Sequence, residues 1–462
     1  MDQQLTTSAA QIASFLKDHD DILCVSHYDC DGISSAVIVR EMLEREDKQF
    51  DQVFLDELTE EKLASVVTDH DHETVLLTDF GSGQLPTVNT VLDHHDVAII
   101  DHHEPSEDGT LEHHCNPHLV GIDGGSEISG AGMTYVVARE LDQANIDLSP
   151  YALIGATGDM QRDGDTYQGL NQEIVEEAQK HDHITIKQGL KLYGRRGRNL
   201  VKALTYTTDP YLSGITDNES GAVQFLRSIG IELSDENGEW RSLADLSLEE
   251  ERMIVNGLIK KGYGDIEQLI GSVYILDNGW EIREFASLMN ACGRLDRPAD
   301  GVTIAREDDF DLAATIKRKY SRKIGRYLSF VEDNMDDTEV IQEIGPGTLI
   351  QADDSIHANM IGTIASICIR SDILDDPIII GMAHKGEDAI KISARASSEV
   401  TETGLAMSEL METCCTTVGG EGGGHERAAG GKIPRTEQER FIKVIREELT
   451  ESLSKDTLTH QA

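Results

Sequence analysis

The sequence predicts an α/β protein. It should have a parallel-sheet domain at its amino end, a mainly helical connecting region, and a smaller α/β domain at its carboxyl end, with a cleft between the two α/β domains. Three observations predict this. Short apolar runs rich in Val, Ile and Leu alternate with helix-like segments up to residue 158, the pattern of strands buried on both faces. Acidic residues and histidines recur just past the ends of those runs, where a parallel sheet gathers them on one edge. After Gly345-Pro346-Gly347 the alternation of strand and helix patterns begins again.

Taken in order, residues 8–19 place Ile12, Phe15 and Leu16 on one helical face. Ile22-Leu23-Cys24-Val25 is the opening strand, and 26–32 is a tight turn into a helix over 33–43. Val53-Phe54-Leu55 is a second strand. The third, Thr74–Thr78, ends at Asp79-Phe80-Gly81. The fourth, Val97-Ala98-Ile99-Ile100, ends at Asp101-His102-His103. Helix-like segments at 60–67 and 86–92 separate them. Gly130–Leu141 puts Met133, Val136, Val137 and Leu141 on one face, and the apolar stretch 151–158 reads as strand-like and ends at Asp159.

From about 183 the composition changes. Residues 191–198 and 317–326 are basic, with Tyr193, Tyr320 and Tyr327 interleaved as candidates for stacking on bases. Residues 234–252 are acidic and expected at the surface. Helix patterns fall at 248–261 and 282–291, and 332–338 reads as an acidic linker. Further on, 356–370 is helical, 378–381 a buried strand, and 390–395 an alternating strand. Residues 408–414 and 441–453 are helical, with the glycine cluster 419–424 and His425 between them. Domain boundaries follow at 1–185, 186–344 and 345–462. No internal repeat is present.

The charge is unusual. Asp and Glu number 85 against 40 Lys and Arg, a net charge of −45 over 462 residues. Such an excess points to a salt-rich cytoplasm, where a Debye length of about 3 Å at 1 M screens self-repulsion. A polyanion must then be held by local basic patches or metal ions, not by the overall field. The seven cysteines include no C-x-x-C pair, which fits a reducing cytoplasm and argues against zinc ribbons or a disulfide framework. No apolar run reaches the roughly 20 residues of a membrane span, and no secretory signal is evident.

Asp29 and Asp31, Asp79, Asp101-His102-His103, and Asp159 can therefore meet at one sheet edge. Carboxylates with imidazole and without thiolate suit Mn²⁺ or Mg²⁺. Two aspartates spaced i and i+2 can reach different ions, and a further carboxylate can bridge, as in two-metal hydrolytic sites. The plain alternative for each aspartate is a helix N-cap. A calcium loop would need a terminal Glu that is absent. A second triplet, Asp93-His94-His95, continues a helix-like segment instead of following a strand, so the site is assigned to Asp101-His102-His103.

His27-Tyr28-Asp29-Cys30-Asp31-Gly32, Asp79, Asp101-His102-His103 and Asp159 resemble the four motifs of the DHH phosphoesterase superfamily. Gly422-Gly423-Gly424-His425 resembles the signature of its accessory DHHA1 domain. Asn290-Ala291-Cys292-Gly293-Arg294 resembles the archaeal RecJ-like nucleases, whose haloarchaeal members share the acidic composition. The resemblance covers nearly the whole chain and is weakest at about 200–280. It implies a DHH catalytic domain, a connecting region and a substrate-binding DHHA1 domain. It also implies one ion on Asp29 and Asp79 with His27, and a second on Asp31, Asp79, His102 and Asp159. His103 would face the phosphate as a catalytic group, with Asp101 orienting it. Gly422, Gly423, Gly424, His425 and Arg395 would bind substrate phosphates. Bacterial RecJ proteins carry a histidine where this chain has Val25; His27 is the substitute candidate.

What the resemblance implies functionally is an Mn²⁺-preferring, Mg²⁺-tolerant exonuclease on single-stranded DNA or RNA, cytoplasmic, in replication or repair. Two alternatives remain open. One is a replisome scaffold, since archaeal relatives associate with the GINS complex and a eukaryotic superfamily member in the replicative helicase has lost catalysis. The other is a phosphoesterase for oligonucleotides or small phosphate esters.

Overall fold

The computed structural model describes residues 2–459 apart from 208–211, 217, 263–268, 372, 375, 398–399 and 401–403. The chain divides into two compact units, Met1–Lys317 and Arg318–Ala462.

The first unit opens with α1 (Gln3–Asp18), capped by Asp2, whose side chain accepts from the Gln4 and Leu5 amides. Then follow β1 (Asp21–His27), α2 (Cys30–Arg45), β2 (Gln49–Leu55), α3 (Glu60–Asp69), β3 (Thr74–Thr78), α4 (Leu85–Val91), β4 (Asp96–Ile100) and β5 (His113–Cys115). The five strands form one sheet in the order β2-β1-β3-β4-β5, and every neighbouring pair is parallel. Side chains alternate between its faces, as strand geometry requires. Leu23, Val25, Val75, Leu77 and Ile99 pack with Leu63 of α3 and Val88 of α4. Ile22, Cys24, Leu76, Ala98 and Ile100 are fully buried too, and α1, α2 and α5 (Gly130–Leu141) pack against the sheet. Burial on both faces explains why the strands read as unbroken apolar runs.

One expectation fails here. The stretch 151–158 is not a strand but lies in a helix, α6 (Ser149–Gly158), and Asp159 is its C-cap residue. The segment is apolar on all sides because it is wedged among α2, α5 and α7 (Gly169–Lys180), and a buried helix and a buried strand share that signature. Pro150 in the first turn, where its missing N–H costs nothing, was the discriminating signal.

Residues 186–317 of the connecting region join the first unit, and 318–344 belong to the second. After the short hairpin strands β6 (Arg162–Asp163) and β7 (Thr166–Tyr167), the chain forms an antiparallel pair, β8 (Ile184–Leu190) with β9 (Ile270–Leu276). The helices inserted between β8 and β9 close their own core around Phe225, Leu226, Leu243 and Leu258. The following helix, Ile282–Arg294, packs on α2 and α6.

The second unit is a mixed sheet in the order β10-β11-β12-β13-β15-β14. Its strands are β10 (Ile341–Glu343), β11 (Gly347–Asp353), β12 (Ile378–Lys385), β13 (Ala389–Ala396), β14 (Glu421–Gly424) and β15 (Ala428–Pro434). Among the described strands of this sheet only β11 and β12 run parallel, joined through the helix Ala358–Cys368. Ile380, Ile392, Met411, Phe441 and Ile445 fill one core, and Ile350, Ile361, Ile364 and Ile379 fill another.

Candidate metal centre

The turn after β1 has two jobs. Asp29 is the N-cap of α2: its Oδ1 accepts from the Asp31 and Gly32 amides, both at 3.1 Å. The cap and ligand alternatives thus coexist in one side chain, because Oδ2 remains turned toward His27 Nδ1 at 3.1 Å. Gly32 permits this tight turn; a Cβ there would lie 2.1 Å from the His27 carbonyl oxygen.

Asp79 follows β3 with a left-handed backbone, φ +63°, a conformation that costs energy and clusters at functional sites. Its carboxylate is buried, and neither oxygen accepts a hydrogen bond. Oδ2 lies 3.5 Å from His27 Nδ1, while Oδ1 lies 3.3 Å from His102 Nε2. The two oxygens therefore face different partners. Gly130 leaves room for this, since a Cβ there would sit 2.5 Å from Asp79 Oδ1.

On the His102 side, Asp31 Oδ1 accepts from Ser129 Oγ (2.8 Å) and the Ala131 amide (3.0 Å), and Oδ2 from the Gly130 amide (2.6 Å). Those donors are the N-terminus of α5, which favours a carboxylate by geometry and by its dipole. His102 Nδ1 donates to the Gly124 carbonyl at 2.7 Å. That bond leaves the Nε2 lone pair aimed at Asp79, Asp31 (3.6 Å) and Asp159 (3.9 Å). Gln161 Nε2 donates to Asp159 Oδ2 and to the same Gly124 carbonyl, each at 2.8 Å.

A lone pair directed at three carboxylates, beside a carboxylate with no hydrogen bond, is an arrangement that a cation completes. Burial raises the Asp31 carboxyl well above its ordinary range, with repulsion from Asp79 next, and burial likewise raises Asp159. The donor atoms form compact groups: His27, Asp29 and Asp79; Asp31, His102 and Asp159; and Asp79 with Asp101, His102 and His103. The donor set fits divalent metal ions.

Asp101 is fully occupied by its neighbours. It accepts from the Ser82 amide (2.9 Å), the His102 amide (2.7 Å) and His103 Nδ1 (2.8 Å). Burial opposes the charged imidazole of His103, but the Asp101 carboxylate outweighs it and raises His103 to about 9. His103 is also the accessible member, with 54% of its side chain exposed. By contrast, His94 and Asp93 of the other triplet are exposed and lie 3.6 Å from each other.

In the second unit, Gly422, Gly423 and Gly424 form the edge strand β14 and not a free loop. Gly422 and Gly431 are also packing requirements, since a Cβ would lie 2.2 Å from the Met411 carbonyl oxygen and 2.4 Å from Cys415 Sγ respectively. Gly423 and His425 are exposed. Arg395 already donates through Nε to Ser366 Oγ (2.8 Å) and through Nη1 to the Ala394 carbonyl (2.8 Å). The expected bidentate clamp therefore meets a guanidinium partly committed to its own domain.

The basic runs differ from expectation. Arg195 is buried against Glu251 (2.9 Å), itself a buried exception within the acidic stretch, and Lys317 pairs with fully buried Glu284. Tyr327 is buried in the second unit's core and offers no face for a base. Lys319, Arg322 and Arg326 remain exposed.

Sequence reasoning missed Gly124, Ser129, Gln161 and the role of Asn290, whose Oδ1 accepts from the Cys30 amide at 3.3 Å. Ser129 before a helix of small residues was a legible cap signal. The others touch the site only through tertiary contacts.

Three families match the sequence: the DHH family N-terminal domain over 21–158, the DHH-CID domain over 192–267 and the DHHA1 domain over 345–451. An uncharacterized protein of Methanocaldococcus jannaschii, MJ0831, is 30% identical over 451 residues, 95% of each chain. Among solved structures, CDC45 from Entamoeba histolytica superposes with a TM-score of 0.61 at 15% identity, over 96% of this chain and 99% of that one. RecJ from Thermus thermophilus in complex with Mn²⁺ superposes with a TM-score of 0.57 at 14% identity. It covers 97% of this chain, which spans 55% of the RecJ chain. No described helix is long and apolar enough to cross a membrane. With three domain matches in this order and a full-length relative, the chain belongs to the DHH/DHHA1 superfamily and has the RecJ-like architecture.

Proposed function

We propose that this chain is a two-metal-dependent exonuclease acting on terminal phosphodiester bonds of single-stranded nucleic acid. The observation that carries the reading is Asp79: a buried carboxylate, hydrogen-bonded at neither oxygen, with one oxygen turned to each of two donor groups. His27, Asp29 and Asp79 would hold one ion, and Asp31, Asp79, His102 and Asp159 the other. Mn²⁺ or Mg²⁺ bound there would supply Lewis-acid stabilisation of phosphoryl charge and activation of water. Mn²⁺ is the better match for a set containing imidazole.

The chain's own residues do the rest. Asp101 keeps His103 charged, so the Nε2–H of this half-exposed side chain can face a phosphoryl oxygen or protonate the leaving oxygen. The Gly124 carbonyl holds the His102 tautomer, and the α5 N-terminus holds Asp31. Gly422, Gly423, Gly424, His425 and Arg395 are proposed to contact substrate phosphates. Lys319, Arg322 and Arg326 are proposed to neutralise the strand backbone, which makes binding salt-dependent. A cytoplasmic location in replication or repair accompanies this reading.

The test is a product time course on DNA and RNA single strands labelled at either end, with Mn²⁺ and with Mg²⁺. Stepwise shortening from one end is expected, absent in Asp79→Ala. Undiminished activity of that variant sinks the assigned site. Hydrolysis confined to dinucleotides would favour the small-ester alternative. A second reading, a replisome scaffold beside catalysis, is favoured by the end-to-end match to a CDC45 chain. Failure to retain a GINS complex in a pull-down would count against it.

A further inference from the structure

The opposite, amino end of the five-stranded sheet gathers another set of donors. Asp21 opens β1, Asp51 lies in β2 beside Leu23, and His70 and His72 sit in the turn between α3 and β3. His70 Nδ1 and His72 Nε2 both lie 3.1 Å from one oxygen, Asp51 Oδ2. The other nitrogen of His72, Nδ1, lies 2.9 Å from Asp21 Oδ1. The donor atoms of Asp51, His70 and His72 all fall within 4.8 Å of one another.

The His72 side chain is nine-tenths buried, and its Nδ1 makes no well-formed hydrogen bond. A neutral imidazole offers one N–H and one lone pair, while ionised carboxylates only accept. Neutral His72 can therefore satisfy just one of the two carboxylates that face it. A divalent cation held by Asp51 Oδ2, His70 Nδ1 and His72 Nε2 would leave His72 Nδ1 as the protonated nitrogen facing Asp21, so both carboxylates would be satisfied. Asp21 and Asp51 are exposed, so an ion can enter from solvent.

We propose that Asp51, His70 and His72 form a transition-metal site of the Zn²⁺ class, with Asp21 orienting His72 through its other ring nitrogen. Two imidazoles with a carboxylate are a donor set for Zn²⁺, and the usual affinity order places Zn²⁺ well above Mn²⁺. The ion would tie the edge strand β2 to the α3–β3 turn, and His72 Nδ1 would link that turn to Asp21 at the start of β1. With about 3.3 Å per residue, the seven residues of β1 separate this site from the Asp29–Asp159 cluster by roughly 20 Å.

The test uses full-length protein preloaded with Mn²⁺, titrated with Zn²⁺, desalted, and analysed for both metals by mass spectrometry. Wild type should retain one Zn²⁺ more than His70→Ala/His72→Ala, with the same Mn²⁺ content. Asp51→Asn, nearly isosteric, decides the matter should the double variant fold poorly; it should weaken Zn²⁺ binding at least tenfold. Equal Zn²⁺ affinity in wild type and Asp51→Asn overturns the site, as does Zn²⁺ uptake matched by an equal loss of Mn²⁺. Neither readout depends on nuclease activity, so this proposal and the functional reading can fail separately.

Discussion

The two ends of the amino-terminal sheet use the same side chains to different effect. At the carboxyl end, Asp29, Asp31, Asp79 and Asp159 outnumber His27 and His102, and Asp79 is buried with both oxygens bare of hydrogen bonds. At the amino end, two histidines converge on one exposed carboxylate. Strand direction explains part of the contrast. A parallel sheet brings the ends of β1, β3 and β4 together, and the turns there must bridge to helices, so they carry short polar residues that also cap. The lesson is that carboxylate-to-imidazole ratio and burial, more than residue type, decide what a cluster can hold.

The largest break in that comparison is Asp79→Ala, which removes the group proposed to be shared by both ion positions. It should cost several kcal/mol of transition-state stabilisation, on the order of 10³-fold or more in rate. Product release from an end-labelled strand measures it, with circular dichroism to confirm folding.

Next is Asp101→Asn. A histidine raised to about 9 stays charged below that pH and loses its proton as pH rises through it. Without the carboxylate, His103 should fall back toward 6.5, so the variant should lose on the order of 10²-fold at pH 8 and less at pH 6. An equal loss at both pH values would show that Asp101 acts only on structure.

Gln161→Ala leaves every candidate ligand in place but frees Asp159 and the Gly124 carbonyl. A roughly 10- to 100-fold weakening of Mn²⁺ binding is expected by calorimetry. The smallest effect belongs to the other end. His70→Ala/His72→Ala, roughly 20 Å away by the strand rise, should change nuclease rate by less than about twofold, because distant sites behave additively. A larger drop in single-strand cleavage would mean that the two ends are coupled through the sheet.

Much of the fold was legible. Thr74–Thr78 and Gly130–Leu141 fall at the residues expected: the first is a short apolar run of strand length, and the second places Met133, Val136, Val137 and Leu141 at helical spacing. The segment Ser149–Gly158 was not, since a helix buried on all sides has no polar face to reveal its period. The glycine cluster has no secondary structure legible in its sequence because glycine carries no side-chain pattern; pairing with β15 makes Gly422, Gly423 and Gly424 a strand. The basic run 191–198 looked like a nucleic-acid patch, yet Arg195 is consumed by Glu251, far away in sequence.

The sequence by itself determined the chemistry available. Aspartates and histidines stand at the ends of apolar runs, a glycine run leads into His425, and no C-x-x-C pair occurs. These are local facts, written in residue type and spacing. Only the tertiary structure decided that Asp79 turns one oxygen to each donor group. The same holds for the α5 N-terminus clasping Asp31, and for Gly124 and Gln161 setting the orientations of His102 and Asp159. The reason is physical: ligand geometry depends on which strands are neighbours and which helix ends point inward, and packing over the whole sheet fixes both.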